Sequence, residues 1–352
     1  MQANADLISL QTIGSASSAK ILCLADVRGN LSLIDELADR VNAAAVIHTG
    51  DFGFFEPESL DRVDDRTIRH LVQYSPLLSH SARADMLQSA PDLVRAQLQT
   101  DQPFQLSQLP EYISGQRRFR RPVYVVWGAC EDVAVLEKFR NGRYIVKNLK
   151  ILDEVSTHLL DLGGLHLRLL GLGGSIIRHK LFDHGDACAG TMAGGGGMMW
   201  ASLLQLGELM ETASRVANSS EVRLLVTHTS PGKEPLVSQL ALALQADYSI
   251  SSSVRPRYPL IYTPHAVHPD AASFKERLTG ARDAMLSIWR GVQEQVETQL
   301  NNQQRVLLDY ALNVIHWLPS SGDDRGFKDL WCMNLPEVSH GQTVLNINDG
   351  KI

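Results

Sequence analysis

The chain has 352 residues, 33 of them Lys or Arg against 39 Asp or Glu, for a formal net charge of −6. Hydrophobic residues make up 44% and charged residues 20%, the composition of a globular chain with a sizeable core in one or two domains. The mildly acidic balance speaks against a nucleic-acid coat protein or a polybasic membrane binder, and no run of about 18 apolar residues is present to cross a bilayer.

The opening stretch MQANADLISLQTIGSASSAK has no basic segment followed by a long apolar one, so no secretory leader is expected. Its small, polar character predicts a flexible N-terminus over residues 1–18. From Lys20, ILCLADVRGN reads as a buried strand that turns at Gly29-Asn30. LSLIDELADRVNA follows as an amphipathic helix with Leu31, Ile34, Leu37, Ala38 and Val41 on one face. AAVIHTGDFGF is a second buried strand, breaking at Gly50-Asp51. Strand, helix, strand implies parallel pairing. Asp26 and Asp51 then stand at the carboxyl ends of neighbouring strands, where open α/β sheets bind ligands. The blander alternative is that each caps the helix after its strand.

Residues 57–115 read as mostly helical, and PVYVVWG as the third core strand, ending at Gly128-Ala129-Cys130-Glu131-Asp132. Short strands (LHLRLLGLGG) come next, then AGTMAGGGGMMW, a flexible Gly-rich loop or a mobile lip over a pocket. ASLLQLGELMETASRV is a helix, VRLLVTHTSP a strand ending at His228, and QLALALQADYSISSSVRPRY a helix and a short strand ending at Ser252–Arg255. Residues 274–315 read as one or two long helices, with Leu278, Ala281, Met285, Ile288, Val292, Val296 and Leu300 on one face. LWCMNLP and QTVLNIN close the chain as strands, and an Asn-Asp-Gly turn with two residues after it predicts a natural chain that continues beyond Ile352. The expected organisation is a flexible 1–18, a core over 19–262, a helical insertion over 263–318 and closing strands of the core over 319–352. The four cysteines (Cys23, Cys130, Cys188, Cys332) are scattered without a CxxC pair, which suits reduced thiols in the cytoplasm, or the nucleus, better than disulfides or structural zinc.

Four strand ends carry the polar groups: Asp26 with Arg28, Asp51, Cys130 with Glu131, and His228. Carboxylates and a histidine gathered at strand ends are material for a hard-cation site that polarises a phosphoryl group. The order D-x-[HR]-G-N (Asp26 to Asn30), G-D (Gly50-Asp51), G-x-x-E-D (Gly128 to Asp132) and V-T-H-x-x-P (Val226 to Pro231) resembles the calcineurin-like metallophosphoesterases. The extended segments RGNLSLIDELA, HTGDFGF, VWGACEDVAVLEKFR, HKLFDHG and VTHTSPGKE look most like a fungal branch of that family. The resemblance implies an α/β fold, a metallophosphoesterase-like sandwich of two mixed β-sheets flanked by helices, with the long helical segment added on the C-terminal side. In a usual member, two divalent metals activate water against a phosphate ester.

Carried over residue by residue, the family's seven ligand positions fall on Asp26, Arg28, Asp51, Ala129, His228, Ser253 and Arg255. Three ligands survive, and the position of the family's catalytic histidine is Cys130. Arginine has donors only and stays protonated, so Arg28 and Arg255 cannot ligate a cation and would instead cancel the charge of Asp26 and Asp51. The resulting expectation is a pseudo-phosphoesterase, a phosphate-binding or protein-interaction module with no cofactor. In it Arg28, Arg255 and Asn30 compensate charge or grip phosphate. The alternative is an active phosphoric-ester hydrolase with one divalent cation (Mn, Zn, Fe or Mg) on Asp51 and His228, with Asp26 and with Glu131 or Asp132. Asp26, Asp51, His228 and Cys130 would then be its catalytic set, and His265 and His268 of TPHAVHP are substitute ligands. Cys130 beside arginines would be an activated nucleophile, although without a C-x5-R loop a spectator thiol fits better. The expected partners are a phosphate-bearing ligand or a protein, and no membrane. GQRRFRRP, with Arg117, Arg118, Arg120 and Arg121 around Phe119, is either a solvated loop or a contact for RNA.

Overall fold

The computed structural model describes residues 8–12, 18–100, 104–188, 190–216, 218–252, 257–320 and 325–352. Its strands are β1 (Ile8–Thr12), β2 (Ser18–Leu24), β3 (Ala45–His48), β4 (Val123–Val125), β5 (Leu149–Ile151), β6 (Thr157–Leu162), β7 (Leu165–Leu172), β8 (Ala193–Gly195), β9 (Met198–Trp200), β10 (Val222–Thr227), β11 (Tyr248–Ser252), β12 (Leu260–Tyr262), β13 (Trp331–Leu335) and β14 (Thr343–Asn348). Its helices are α1 (Ser32–Val41), α2 (Asp65–Tyr74), α3 (His80–Gln88), α4 (Pro91–Thr100), α5 (Leu109–Ile113), α6 (Val133–Arg140), α7 (Leu203–Arg215), α8 (Pro235–Ala243), α9 (Pro264–Val267), α10 (Ala271–Gln299), α11 (Asn302–His316) and α12 (Arg325–Lys328).

Two mixed sheets face each other. One runs β14-β2-β3-β4-β5, parallel except for β14; the other runs β1-β6-β7-β10-β11-β13-β12, antiparallel at β6–β7 and at β13–β12. The period-two alternation of a strand decides which core each side chain joins. In β2, Ile21 and Cys23 enter the layer between the sheets, with Ile47, Tyr124, Leu167, Val226 and Met333. Leu22 and Leu24 face outward onto α1 and α6, with Ile34, Leu37 and Leu136. Both faces are covered, which is why these strands read as unbroken apolar runs. The outer face of the larger sheet is covered by α7, α8, α10 and α11 through Leu206, Leu240, Leu278, Met285 and Leu307. No helix among the described residues is long and apolar enough to cross a membrane.

Several expectations are corrected. Residues 8–12, expected to be flexible, form β1, an edge strand parallel to β6; pairing with an already ordered strand supplies what composition did not. The Gly-rich AGGGGMMW is neither a loop nor a lip but the hairpin β8–β9. Gly196 and Gly197, at φ +60° and +79°, make its turn, where two consecutive left-handed residues match the twist of the strands. The segment 274–315 is two helices, α10 and α11, and its apolar face is internal. Phe274 and Trp289 belong to that face beside Leu278, Ala281 and Met285, whereas Ile288, Val292, Val296 and Leu300 are only partly buried. The closing strands divide between the sheets: β13 joins one and β14 the other, and the turn between them crosses the strand ends of both.

Candidate functional site

The turns after β2, β3, β4 and β10 converge at one edge of the sandwich, woven together chiefly by backbone. Asp26 N–H donates to Gly50 O (3.1 Å), Arg28 N–H to Asp51 O (2.9 Å) and Gly29 N–H to Phe52 O (2.9 Å). Cys130 N–H donates to Asp51 Oδ1 at 3.0 Å. His228 Nδ1 lies 3.0 Å from Thr49 O. A carbonyl only accepts, so Nδ1 carries the proton and the Nε2 lone pair is left for a ligand. The approach is close enough that a Cβ on Gly128 would stand 2.0 Å from Asp51 Oδ1, and one on Gly50 2.6 Å from His228 Nδ1.

Three non-glycine residues here hold left-handed backbone: Asp26 (φ 58°), Arg28 (φ 43°) and Asp51 (φ 52°). Such residues cost on the order of 1–3 kcal/mol each and persist where surrounding bonds over-determine them, typically at functional sites. The capping alternative does not describe Asp26: α1 has Leu31 at its N-cap and no side-chain cap bond.

Of the two arginines expected to cancel Asp26 and Asp51, only Arg28 lies among the described residues. Arg28 Nη1 meets Glu337 Oε1 at 2.6 Å, and its guanidinium lies 5.1 Å above the Tyr74 ring. Glu337 comes from the turn between β13 and β14, which Val338 N–H fixes by donating to Ala25 O at 3.0 Å. Arg28 is therefore paired outside the Asp26–Asp51 couple, and among the described residues of the cleft the carboxylates of Asp26, Asp51 and Glu337 outnumber this one guanidinium. Burial, and then the Asp51 charge, push the Asp26 carboxyl up to about 8, with Arg28 pulling the other way. Arg28 Nε is buried without a hydrogen-bond partner. It borders a cavity of about 20 Å³ that it shares with Asp51, Cys130, His70 and Tyr74, room for about one water.

The other candidates sort as follows. Glu131, fully buried, accepts from the amides of Phe52 (2.6 Å), Gly53 (3.2 Å) and Phe54 (2.6 Å), so its carboxylate is a clamp on the GDFGF turn rather than a free ligand. Burial and Asp51 push it up to about 8 while those amides pull it down. Asp132 caps α6 through Ala134 N–H and pairs with Arg62 at 2.7 Å. Cys130 is not activated: burial, then Asp51 and Glu131, push its thiol up, and Sγ packs 3.9 Å from Met198 Sδ. Asn30 Oδ1 accepts from Ser32 Oγ at 3.3 Å, toward α1 rather than into the cavity. Ser253 and Arg255 lie outside the described residues. Neighbouring Ser252 places Oγ 3.1 Å from Thr49 O and 3.4 Å from His228 Nδ1. His265 stacks against Phe327 and His268 against Phe274, and neither lines the cavity at Asp51. Among the basic cluster, Arg117 pairs with Glu111, and Arg120 and Arg121 with Asp39, while Phe119 is buried on Tyr112. Three of the four charges are thus answered within the chain, while Arg118 is exposed. The residues not anticipated are Glu337, His70 and Tyr74. Their distance in sequence left no local signal, although PEVSH following a strand did mark a turn.

Arg28, which lines the cavity beside Asp51, has donors only and no lone pair to give a cation. Among the described residues, no group of three or more His, Cys, Asp or Glu side chains is arranged to hold a metal ion.

The family described as "Protein of unknown function (DUF2433)" matches residues 258–352, which include Glu337 and α10. No curated protein matches. Among the solved structures that match, one crystal structure is 11% identical over 67% of this chain and 84% of its own, with a TM-score of 0.40, a likeness that carries no argument.

Proposed function

We propose that the protein is a calcineurin-like phosphoesterase relative whose site has become an oxyanion-binding cleft, a pseudo-phosphoesterase that recognises a phosphate-bearing ligand without hydrolysing it. The observation that carries this reading is Arg28. At a position where the resembling family places a metal-ligating histidine, it presents a fixed cation that lines the cavity, and its Nε–H is buried without a hydrogen-bond partner. A guanidinium edge with an unanswered donor suits an oxyanion and repels a dication placed beside it. Glu337 and the Tyr74 ring hold that edge in place. The backbone of Gly29, Gly50 and Gly128 keeps the walls at contact distance.

A second reading rests on the surplus of carboxylate. With Arg28 engaged by Glu337, Asp26 and Asp51 repel each other, and one divalent cation on Asp26, Asp51 and His228 Nε2 would relieve that repulsion. Calorimetric titration with inorganic phosphate, followed by metal analysis and assays of bis-(p-nitrophenyl) phosphate and p-nitrophenyl phosphate with Mn²⁺, separates the two. The first reading expects phosphate to bind the metal-free protein, binding to fall at least about tenfold in Arg28→Gln, and no turnover. Stoichiometric bound metal with turnover lost in Asp51→Asn would establish the second and reject the first.

A further inference from the structure

A roomier, mostly apolar hollow lies elsewhere. A groove of about 530 Å³ opens where β12, α9 and α10 meet the loop after His228. That volume lies within the roughly 300–1,000 Å³ of small-molecule sites, whereas the strand-end cavity holds about one water. Its walls are apolar and aromatic: Pro231, Pro259, Leu260, Val267 and Phe274, with Tyr258 at the rim. Leu260, Val267 and Tyr258 are 49%, 53% and 66% exposed, an apolar lining that solvent contacts.

Two polar groups in it are uncommitted. Tyr262 is 8% exposed, and its hydroxyl lies close to Ser230, Asn334 and the Cys332 thiol without a well-aligned hydrogen bond to any of them. The nearby Ser230 and Asn334 are already joined to each other at 3.0 Å, and Asn334 Oδ1 also accepts from Ser251 Oγ at 3.0 Å. Leaving a buried hydroxyl unpaired is unfavourable, and a ligand acceptor would cure it. Arg277 reaches the carbonyls of Pro231 and Gly232 through Nη2 alone, at 3.4 and 2.8 Å, which leaves the rest of its planar donor fork to the groove. None of the lining residues is acidic; His268 and Arg277 are the basic ones.

We propose that this groove is a second ligand site, separate from the strand-end cleft, which takes a small molecule with a flat apolar body and an anionic end. The body lies between Phe274, Leu260 and Val267, and the anion meets Arg277 and the Tyr262 hydroxyl. The loop that shapes one wall, Pro231-Gly232, also carries His228, so occupancy touches the segment that builds the cleft.

The probe is 8-anilinonaphthalene-1-sulfonate, an aromatic anion of the stated class, titrated by fluorescence into the full chain. The expected result is saturable binding of one dye per chain, weakened about tenfold in Arg277→Gln and abolished in Val267→Trp, which fills the groove from an exposed position. Tyr262→Phe should weaken the dye about threefold while raising the melting temperature of the free protein, a combination that a purely structural tyrosine would not give. Arg28→Gln and added inorganic phosphate should leave the dye in place. Thermal melts establish that each variant is folded. Dye uptake that is non-saturable, indifferent to Arg277→Gln and Val267→Trp, or lost in Arg28→Gln would overturn the proposal.

Discussion

The strand-end cleft and the groove beneath β12 share one loop and are built on opposite principles. In the cleft, space is scarce and nearly every polar group is spoken for. Turns are laced by main-chain bonds, three side-chain-bearing residues sit in left-handed backbone, and glycines allow contact where no Cβ fits. In the groove, space is ample, the walls are apolar, and a tyrosine hydroxyl is left waiting. The lesson is that chemical motifs and ligand volume need not coincide. The first are fixed by backbone geometry, the second by how loosely a late helical segment closes over a sheet edge.

Breaking the tight region should be costly. Gly128→Ala thrusts a methyl onto Asp51 and should destabilise the fold by about 4 kcal/mol in urea unfolding. A loss under about 1 kcal/mol would mean that the turns are slack. Glu131→Ala strands three amides of the GDFGF turn and should cost about 3 kcal/mol, with phosphate affinity falling in parallel.

The acidic couple gives a pH signature. An acid whose pKa is higher folded than unfolded holds its proton more tightly in the fold. The Asp26 contribution is therefore fully present below its ordinary value of 3.8 and declines as pH rises to about 8. Chemical denaturation of metal-free protein across that interval should show a decline of at least about 1.4 kcal/mol, the worth of a single pKa unit. Asp51→Asn should flatten it. The smallest effect is expected at the rim. Glu337→Gln removes a partly exposed pair and should shift stability by less than about 1 kcal/mol. In the same variant, phosphate should bind more tightly, because Arg28 loses its competing carboxylate. Weaker binding would mean that Glu337 acts mainly by holding Arg28 in position.

Much of the architecture was legible from local rules. Ile21–Leu24, Ala45–His48 and Val123–Val125 are apolar runs broken by Gly-Asn, Gly-Asp or Gly-Ala, and each became a strand with its polar turn where expected. Two sheets flanked by helices followed from that alternation, and Asp26, Asp51, Cys130 and His228 do meet. The errors have a common cause. Glu131 looked like a ligand because composition shows a carboxylate but not the three amides that consume it. For Cys130 the spectator reading agrees with the structure, where the nearest charges are the carboxylates of Asp51 and Glu131. The Gly-rich AGGGGMMW looked loose, although its glycines are what permit close packing on Asp64 and Val63.

The amino-acid order alone determined most of the strands and helices, though not β1 or the β8–β9 hairpin, and that four polar turns stand at strand ends. Periodicity and turn chemistry are local, and side-chain identity needs no fold to be read. Only the tertiary structure decided that Arg28 answers to Glu337, 309 positions away, that the Asp51 charge bears on a buried Asp26, and that a groove remains under β12. Charge pairing and cavity volume depend on distances between segments, and those are set by how two sheets and the last hundred or so residues pack, not by any one stretch of chain.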